Sequence, residues 1–294
     1  MLKGQRSRKK TQPTTERAKK PQREKDAGAA VSKPPRTGQR VLYFDIETSP
    51  NIADVWGMWD QNIGLTQLRE SSRIIGFGYK WRSGKPAKWI SEYDPKTGEL
   101  SQQHQMLQAA HELYDQADIV VTYNGDKFDH KRLNTAWVSA GITPPSPSKS
   151  LDLFKVVSRN FQFPSKKLAY VADRLIGDTK IQNGGHQLWR DCLDPGVDKK
   201  KRRAAWDLMA RYCMQDVDLL EPLHTVLEPW LQDSQSFGLI GAPKTAPHCR
   251  KCGSSEVRKR GFAYTPTQAY QQYRCDSCGG WTRDTKAHHK LIET

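Results

Sequence analysis

The sequence predicts an α/β fold, a mixed β-sheet flanked by helices, followed by a second and much smaller module. Three observations predict it. Apolar patterns run as three strand-like segments, a helix, a strand and then helices, an order that suits a layered α/β or α+β core. The segment "DIVVTYNG" (118–125) is short and continuously apolar, as a central strand covered on both faces would be. Four of the chain's six cysteines fall in residues 247–294, a stretch too short to build much of a core of its own.

The elements follow in order. "VLYFDIET" (41–48) reads as a buried strand through Val41, Leu42, Tyr43, Phe44 and Ile46, yet it carries Asp45 and Glu47. "RIIGFGYKW" (73–81) and "PAKWISEY" (86–93) are the second and third strands, and the Ser-Gly-Lys-Pro between them suits a hairpin turn. Residues 99–117 form a helix with Leu100, Met106, Leu107, Ala110, Leu113 and Tyr114 on one broad face. After the fourth strand a helix spans Phe128 to Ala140 and is ended by "GITPP". "SLDLFKVVSRN" (150–160) is ambiguous between strand and helix. Residues 166–177 are a helix stopped by Gly177. Residues 204–231 are strongly helical, with Pro222 as a break or kink. The expected domains are a basic disordered tail (1–38), a core (39–235), a linker (236–246) and the small module (247–294).

Charge is distributed unevenly. The formal net charge is +15, and residues 1–40 hold 13 Lys/Arg against 3 Asp/Glu. Residues 245–294 hold 9 against 4, and the body between carries 25 of each sign. Basic ends around a neutral body suit a polyanionic partner, most commonly nucleic acid. "RSRKK" (6–10) suits a nuclear localisation signal or a nucleic-acid tether equally. The apolar fraction of 36% places a substantial part of the chain outside any core. No stretch approaches the roughly 18 apolar residues of a transmembrane helix, and the N-terminus has no apolar signal segment, so no membrane association is expected. The cysteine pattern is not a secreted disulfide framework, and a reducing compartment is expected.

Asp45 and Glu47 are two residues apart on a strand and project from the same face. Two carboxylates so placed repel unless a cation lies between them, and oxygen ligands of this kind suit Mg²⁺ or Mn²⁺. An exposed strand end with two solvated acids is the plain alternative. Further acids follow the fourth strand and lie in the last long helix. "TYNGDKFDHKRL" places Asp126 in a turn or cap, and Asp129 in the first turn of the next helix, where it can face back over the sheet end. In "RYCMQDVDLL", Tyr212 and Asp216 share a helix face, while Asp218 points elsewhere.

These three blocks resemble the motifs of the DEDD superfamily of 3′–5′ exonucleases. "FDIET" is similar to D-x-E, "YNGDKFD" to N-x-x-x-[FY]-D, and "YCMQD" to the tyrosine form Y-x-x-x-D. The histidine form would carry His where Arg211 stands, so the resemblance is to the DEDDy type. It covers roughly residues 40–232 and looks most like the proofreading domain of family B DNA polymerases and the stand-alone YprB-like group. The resemblance implies a ribonuclease H-like mixed sheet flanked by helices. It implies that Asp45, Glu47, Asp129 and Asp216 hold two Mg²⁺ or Mn²⁺ ions, which clamp the attacking and leaving oxygens of a phosphodiester. Tyr212 would orient the attacking water, and its high ordinary pKa makes it a poor general base at neutral pH. Asn124 would sit near the bound strand, or serve only as a turn residue. His130 is expected to be structural, and Cys192 and Cys213 to be buried thiols.

In the small module, "CRKC" and "CDSC" give C-x2-C-x22-C-x2-C, a spacing that suits one structural Zn²⁺ on Cys249, Cys252, Cys275 and Cys278. Glycine follows the second cysteine of each pair, and the segment resembles a zinc ribbon. Four thiolates leave no open position, so such a zinc holds the fold and does not catalyse. Arg258, Lys259, Arg260 and Arg274, with Tyr264, Tyr270 and Tyr273 among them, suit phosphates and base stacking. Arg258, Lys259 and Arg260 are thus expected substrate contacts, with a protein-binding ribbon as the alternative.

The expected protein is therefore a free-standing, metal-dependent 3′–5′ exonuclease acting on a single-stranded DNA or RNA 3′ end and releasing 5′-mononucleotides. No polymerase domain fits in the remaining residues, so proofreading would need a separate replication or repair partner. The expected setting is the cytoplasm of a bacterial or viral system. The rival readings are a structure-specific endonuclease on the same carboxylates and a non-catalytic nucleic-acid-binding adaptor. The presence of all four acids and the tyrosine argues against the adaptor.

Overall fold

A computed structural model describes residues 31–34, 39–82, 85–178, 185–232, 238 and 247–290. The "RSRKK" segment, most of the expected tail and most of the expected linker lie outside the described residues. The chain order is β1 (Val41–Thr48), β2 (Ile52–Ala53), β3 (Leu68–Glu70), β4 (Ile74–Trp81), β5 (Lys88–Ser91), α1 (Gln103–Gln116), β6 (Ile119–Thr122), α2 (Asp129–Ser139), β7 (Lys149–Asp152), α3 (Leu153–Asn160), α4 (Leu168–Ile176), α5 (His186–Leu193) and α6 (Lys199–Leu227). The small module follows with β8 (Val257–Tyr264), β9 (Gln268–Cys275), β10 (Trp281–Arg283) and β11 (His289–Lys290).

The main sheet has the order β5-β4-β1-β6-β7. β4 and β5 run antiparallel to their neighbours, and β1, β6 and β7 are parallel. The predicted mixed sheet is therefore present. Parallel neighbours bring the chain exits after β1 and β6 to one end of the sheet, together with the start of β4.

β1 splits its side chains between two apolar layers. Leu42, Phe44 and Ile46 pack with Phe77 and Tyr79 under α1 and α2, where Met106, Leu113, Leu133 and Trp137 are buried. Val41 and Tyr43 face the other layer, with Leu153, Val157, Val217, Leu220 and Leu223 of α3 and α6. By the same alternation Asp45 and Glu47 lie on the α6 face. Each fully buried aliphatic side chain here contributes roughly 1.5–3 kcal/mol.

α6 lies unusually close to β4. A Cβ on Gly78 would stand 2.9 Å from Val217 Cγ2, 3.0 Å from Cys213 Sγ and 3.1 Å from the Cys213 carbonyl oxygen. Glycine at 78 thus sets how near the helix of Tyr212 and Asp216 comes to the sheet. Pro222 does not break α6, which continues to Leu227.

Several local expectations need correction. Residues 150–160 are both readings in sequence: β7, then α3, with the Asp152 carboxylate accepting from the Phe154 N–H at 3.0 Å as the helix cap. Leu100 is not helical but bridges Tyr93, and α1 begins at Gln103. Residues 31–34 were expected in the disordered tail, yet they lie along the sheet. Val31 packs on the first apolar layer, the Ser32 N–H donates to the Tyr79 hydroxyl at 2.9 Å, and Trp81 Nε1 donates to the Ser32 carbonyl at 2.8 Å. Gly177 ends α4 with φ 70°, as expected.

Candidate active site

The D-x-E strand ends where α2 and α6 meet it. Asp45 is half-buried and Glu47 is 8% exposed. Cys213, one turn before Val217 on α6, points its thiol between them. Its Sγ lies 3.8 Å from Asp45 Oδ2, and the ligand atoms of Asp45, Glu47 and Cys213 all fall within 4.8 Å of one another. The thiol is fully buried, and burial first, then the Asp45 and Glu47 carboxylates, holds it well above the ordinary thiol range. It is a neutral neighbour of the acids. The expectation of a buried thiol holds, but its contact with the acid pair is not visible in the sequence.

Asp129 reaches the middle of the D-x-E strand from the other face, outside the group formed by Asp45, Glu47 and Cys213. It opens α2, is 3% exposed, and its Oδ1 accepts from the Ile46 N–H at 3.1 Å. Ile46 is the residue between Asp45 and Glu47. Burial raises the Asp129 carboxyl from 3.8 to about 7, the Ile46 N–H opposes this, and the Asp152 charge adds to it.

Asp216, 4% exposed on α6, lines a cleft of about 800 Å³ together with Asp45 and Asn124. Tyr123, Phe154 and Phe163 give this cleft an aromatic wall, and Lys166 and Lys167 add two cations. None of these five is singled out by a sequence motif. Asn124 is both a cleft residue and a turn residue. Its φ is 68°, a left-handed conformation that asparagine tolerates, and its N–H donates to Asp152 Oδ1 at 2.7 Å. Tyr212 is half-buried one turn before Asp216, not a core aromatic.

Neighbouring acids are turned to other work. Asp126 pairs with Lys155 at 2.5 Å and with Ser150, and lies 3.6 Å from His130 Nε2. His130 also shares the Ser150 hydroxyl at 3.1 Å. Asp218 accepts from Lys80 Nζ at 3.1 Å and from the Ala87 N–H at 3.0 Å, away from the cleft.

In the small module the four cysteine thiols converge. Cys249 Sγ lies 3.7 Å from Cys278 Sγ, and Cys252 Sγ lies 3.7 Å from Cys275 Sγ. All four fall within 4.8 Å of one another. A tetrahedral ZnS₄ centre with Zn–S near 2.3 Å has S···S edges of about 3.8 Å, so the donor set fits zinc. Gly253 and Gly279, just after each pair, have φ of 81° and 74°. The expected substrate face needs one correction: Tyr273 is 8% exposed, packed inside the module, while Arg258 is exposed and pairs with Asp276 at 2.6 Å. Lys259, Arg260 and Arg274 are exposed, as is Tyr264 at 77%. Tyr270 is covered by the Arg283 guanidinium at 4.2 Å.

The loop between β2 and β3 was not predicted to carry anything. It exposes Trp56 (96%) and Trp59 (85%), close in sequence to the acid pair.

A five-stranded mixed sheet whose first strand ends in a cluster of acids, backed by helices that bring two more, defines a ribonuclease H-like domain. A family model described as the RNase H superfamily matches residues 42–228, and the chain belongs to that superfamily. Among solved structures it is similar to a family B DNA polymerase from the hyperthermophilic archaeon Pyrobaculum calidifontis, with 15% identity and a TM-score of 0.49. That similarity covers 82% of this chain and 33% of the polymerase, so the chain spans about a third of that protein's length. No curated protein matches the chain. No helix among the described residues is long and apolar enough to cross a membrane.

Proposed function

We propose that the chain is a metal-dependent nuclease, and specifically a 3′–5′ exonuclease of the DEDDy type. The observation that carries this reading is the bond from the Ile46 N–H to Asp129. It brings an acid from α2 to the strand residue between Asp45 and Glu47, while Asp216 shares a cleft wall with Asp45. Asp45, Glu47, Asp129 and Asp216 would hold two Mg²⁺ or Mn²⁺ ions. Those ions supply positive charge at the phosphodiester and a water acidic enough to attack near neutral pH.

The chain's own groups account for the rest. Asp129 would be ionised beside a bound cation, and the Ile46 N–H fixes its orientation. Tyr212 lies on the Asp216 side of α6 and orients the attacking water through its hydroxyl. Tyr123, Phe154 and Phe163 offer flat faces to unstacked bases, and Lys166 and Lys167 meet the backbone, so a single-stranded 3′ end fits the cleft. Cys249, Cys252, Cys275 and Cys278 hold a structural zinc, and Lys259 and Arg260 add a sequence-independent grip.

The test is cleavage of 5′-labelled single-stranded DNA and RNA in Mg²⁺ or Mn²⁺, with Asp45→Ala purified identically. A ladder shortening from the 3′ end, absent in the variant, is expected. Cutting of a closed circle would replace the exonuclease with an endonuclease. Binding without cleavage of any of these substrates would remove the enzyme reading.

A further inference from the structure

A second groove, of about 630 Å³, opens at the same end of the sheet on the α1–α2 face. α2 turns Asp129, Leu133 and Trp137 inward. The opposite stripe of the helix, with the turn before it, presents Lys127, Phe128, Lys131, Arg132 and Thr135 to the groove. No Asp or Glu lines it among the described residues. A fourth cation, Arg73, is already bound to Glu92 at 2.6 Å. Lys127, Lys131 and Arg132 make no ion pair with any described residue, and Arg132 lies over the 38%-exposed Phe128 ring at 5.1 Å.

The groove adjoins the acid cluster. Ile74 on its wall is the register partner of Thr48, the residue after Glu47, which places it about 5 Å from the end of β1. Phe128 precedes Asp129 directly. Three cations with no lining acid, beside a partly exposed ring, match a phosphodiester backbone with an unstacked base. The carboxylate-lined cleft on the α6 face has a different character.

We propose that Lys127, Lys131 and Arg132 form a second phosphate-binding track for nucleic acid, separate from the cleft of Asp45 and Asp216 and from the cysteine module. The choice of ligand rests on the nuclease reading above; the track itself rests on the charge and shape of this groove.

The experiment measures binding in an Asp45→Ala background, so that no turnover occurs and no chelator is needed. The probes are a fluorescein-labelled oligo(dT) strand and a labelled duplex with a 3′ overhang, each titrated over a range of KCl. K127A/K131A/R132A is compared with K199A/K200A/R203A, which removes the same charge from the exposed start of α6. The groove triple variant is expected to flatten the slope of log K against log salt by about 2 on the single strand or about 3 on the duplex, and the control triple to leave it unchanged. A change on both probes assigns the track to the strand that enters the cleft, and a change on the duplex alone assigns it to the complementary strand. Unchanged slopes, or equal losses in both triples, overturn the proposal. Failure of the background protein to bind either probe overturns it together with the nucleic-acid reading. Binding with an unchanged slope removes the track alone.

Discussion

The Ile46 N–H donates to Asp129 Oδ1 at 3.1 Å, across 83 residues of chain. One backbone bond thereby fastens the first turn of α2 to the centre of the D-x-E strand. An amide oxygen can accept that bond, but it cannot carry the charge. Asp129→Asn is therefore expected to keep the fold and lose more than about 100-fold in metal-dependent cleavage, beyond the loss typical of an outer-shell partner. Thermal melts and cleavage rates measured on the same preparation check this.

Burial raises Asp129 from 3.8 to about 7. Between those values the folded metal-free protein holds a proton that the unfolded chain has released. Stability from this group is full below the lower value and lost as pH rises through the upper one. A divalent cation competes with that proton, so the rise in melting temperature caused by Mg²⁺ should be larger at pH 8 than at pH 5.5. Asp129→Asn should remove most of this difference. Melts at both pH values, with and without Mg²⁺, measure it.

His224 titrates in the opposite sense. Burial lowers it from 6.5 to about 3, and its Nδ1 lies 3.0 Å from the Tyr43 hydroxyl in the core. Its neutral form is favoured in the fold, so stability is full above pH 6.5 and falls as pH drops toward 3. His224→Gln, which keeps a hydrogen-bonding side chain without titrating, should flatten this acid limb in urea melts.

Gly78→Ala should cost about 1–3 kcal/mol, because its new methyl group meets the backbone of α6 as well as two side chains. α6 also carries Tyr212 and Asp216. Activity should therefore fall further than the fraction unfolded at the assay temperature accounts for, as urea melts and rates together would show.

Trp56 and Trp59 bury almost nothing in the folded chain. Replacing both with Ala should change stability by no more than about 0.5 kcal/mol. A larger loss in urea melts would mean that they pack against something in the folded protein.

Much of the site is legible in the sequence because its periodicities are local. Asp45 and Glu47 share a face by strand alternation, and Tyr212 and Asp216 by helical repeat. The four cysteines are legible for the same reason: two short pairs need only be brought together. Contacts between distant segments are not legible. Cys213 touches Asp45 across 168 residues, and no pattern in "RYCMQD" announces it. Asp152 reads as part of an ambiguous apolar run, because one residue ends a strand and caps a helix there. Tyr273 and Tyr264 look alike in a basic segment, and only the packing of β9 against β10 separates the buried ring from the exposed one. The groove on α2 is equally hidden, since its cations lie on the outer stripe of a helix whose inner stripe carries the motif.

On the proposed reading, Asp45, Glu47, Asp129 and Asp216 form one divalent-metal centre. Its most direct test is a Mn²⁺ titration of the zinc-loaded protein, followed by electron paramagnetic resonance, beside Asp45→Ala and Asp216→Ala. Two bound Mn²⁺ with a spin-coupled signal are expected in the parent, and loss of that coupling in each variant. No specific Mn²⁺ binding, or binding that both variants retain unchanged, would contradict it.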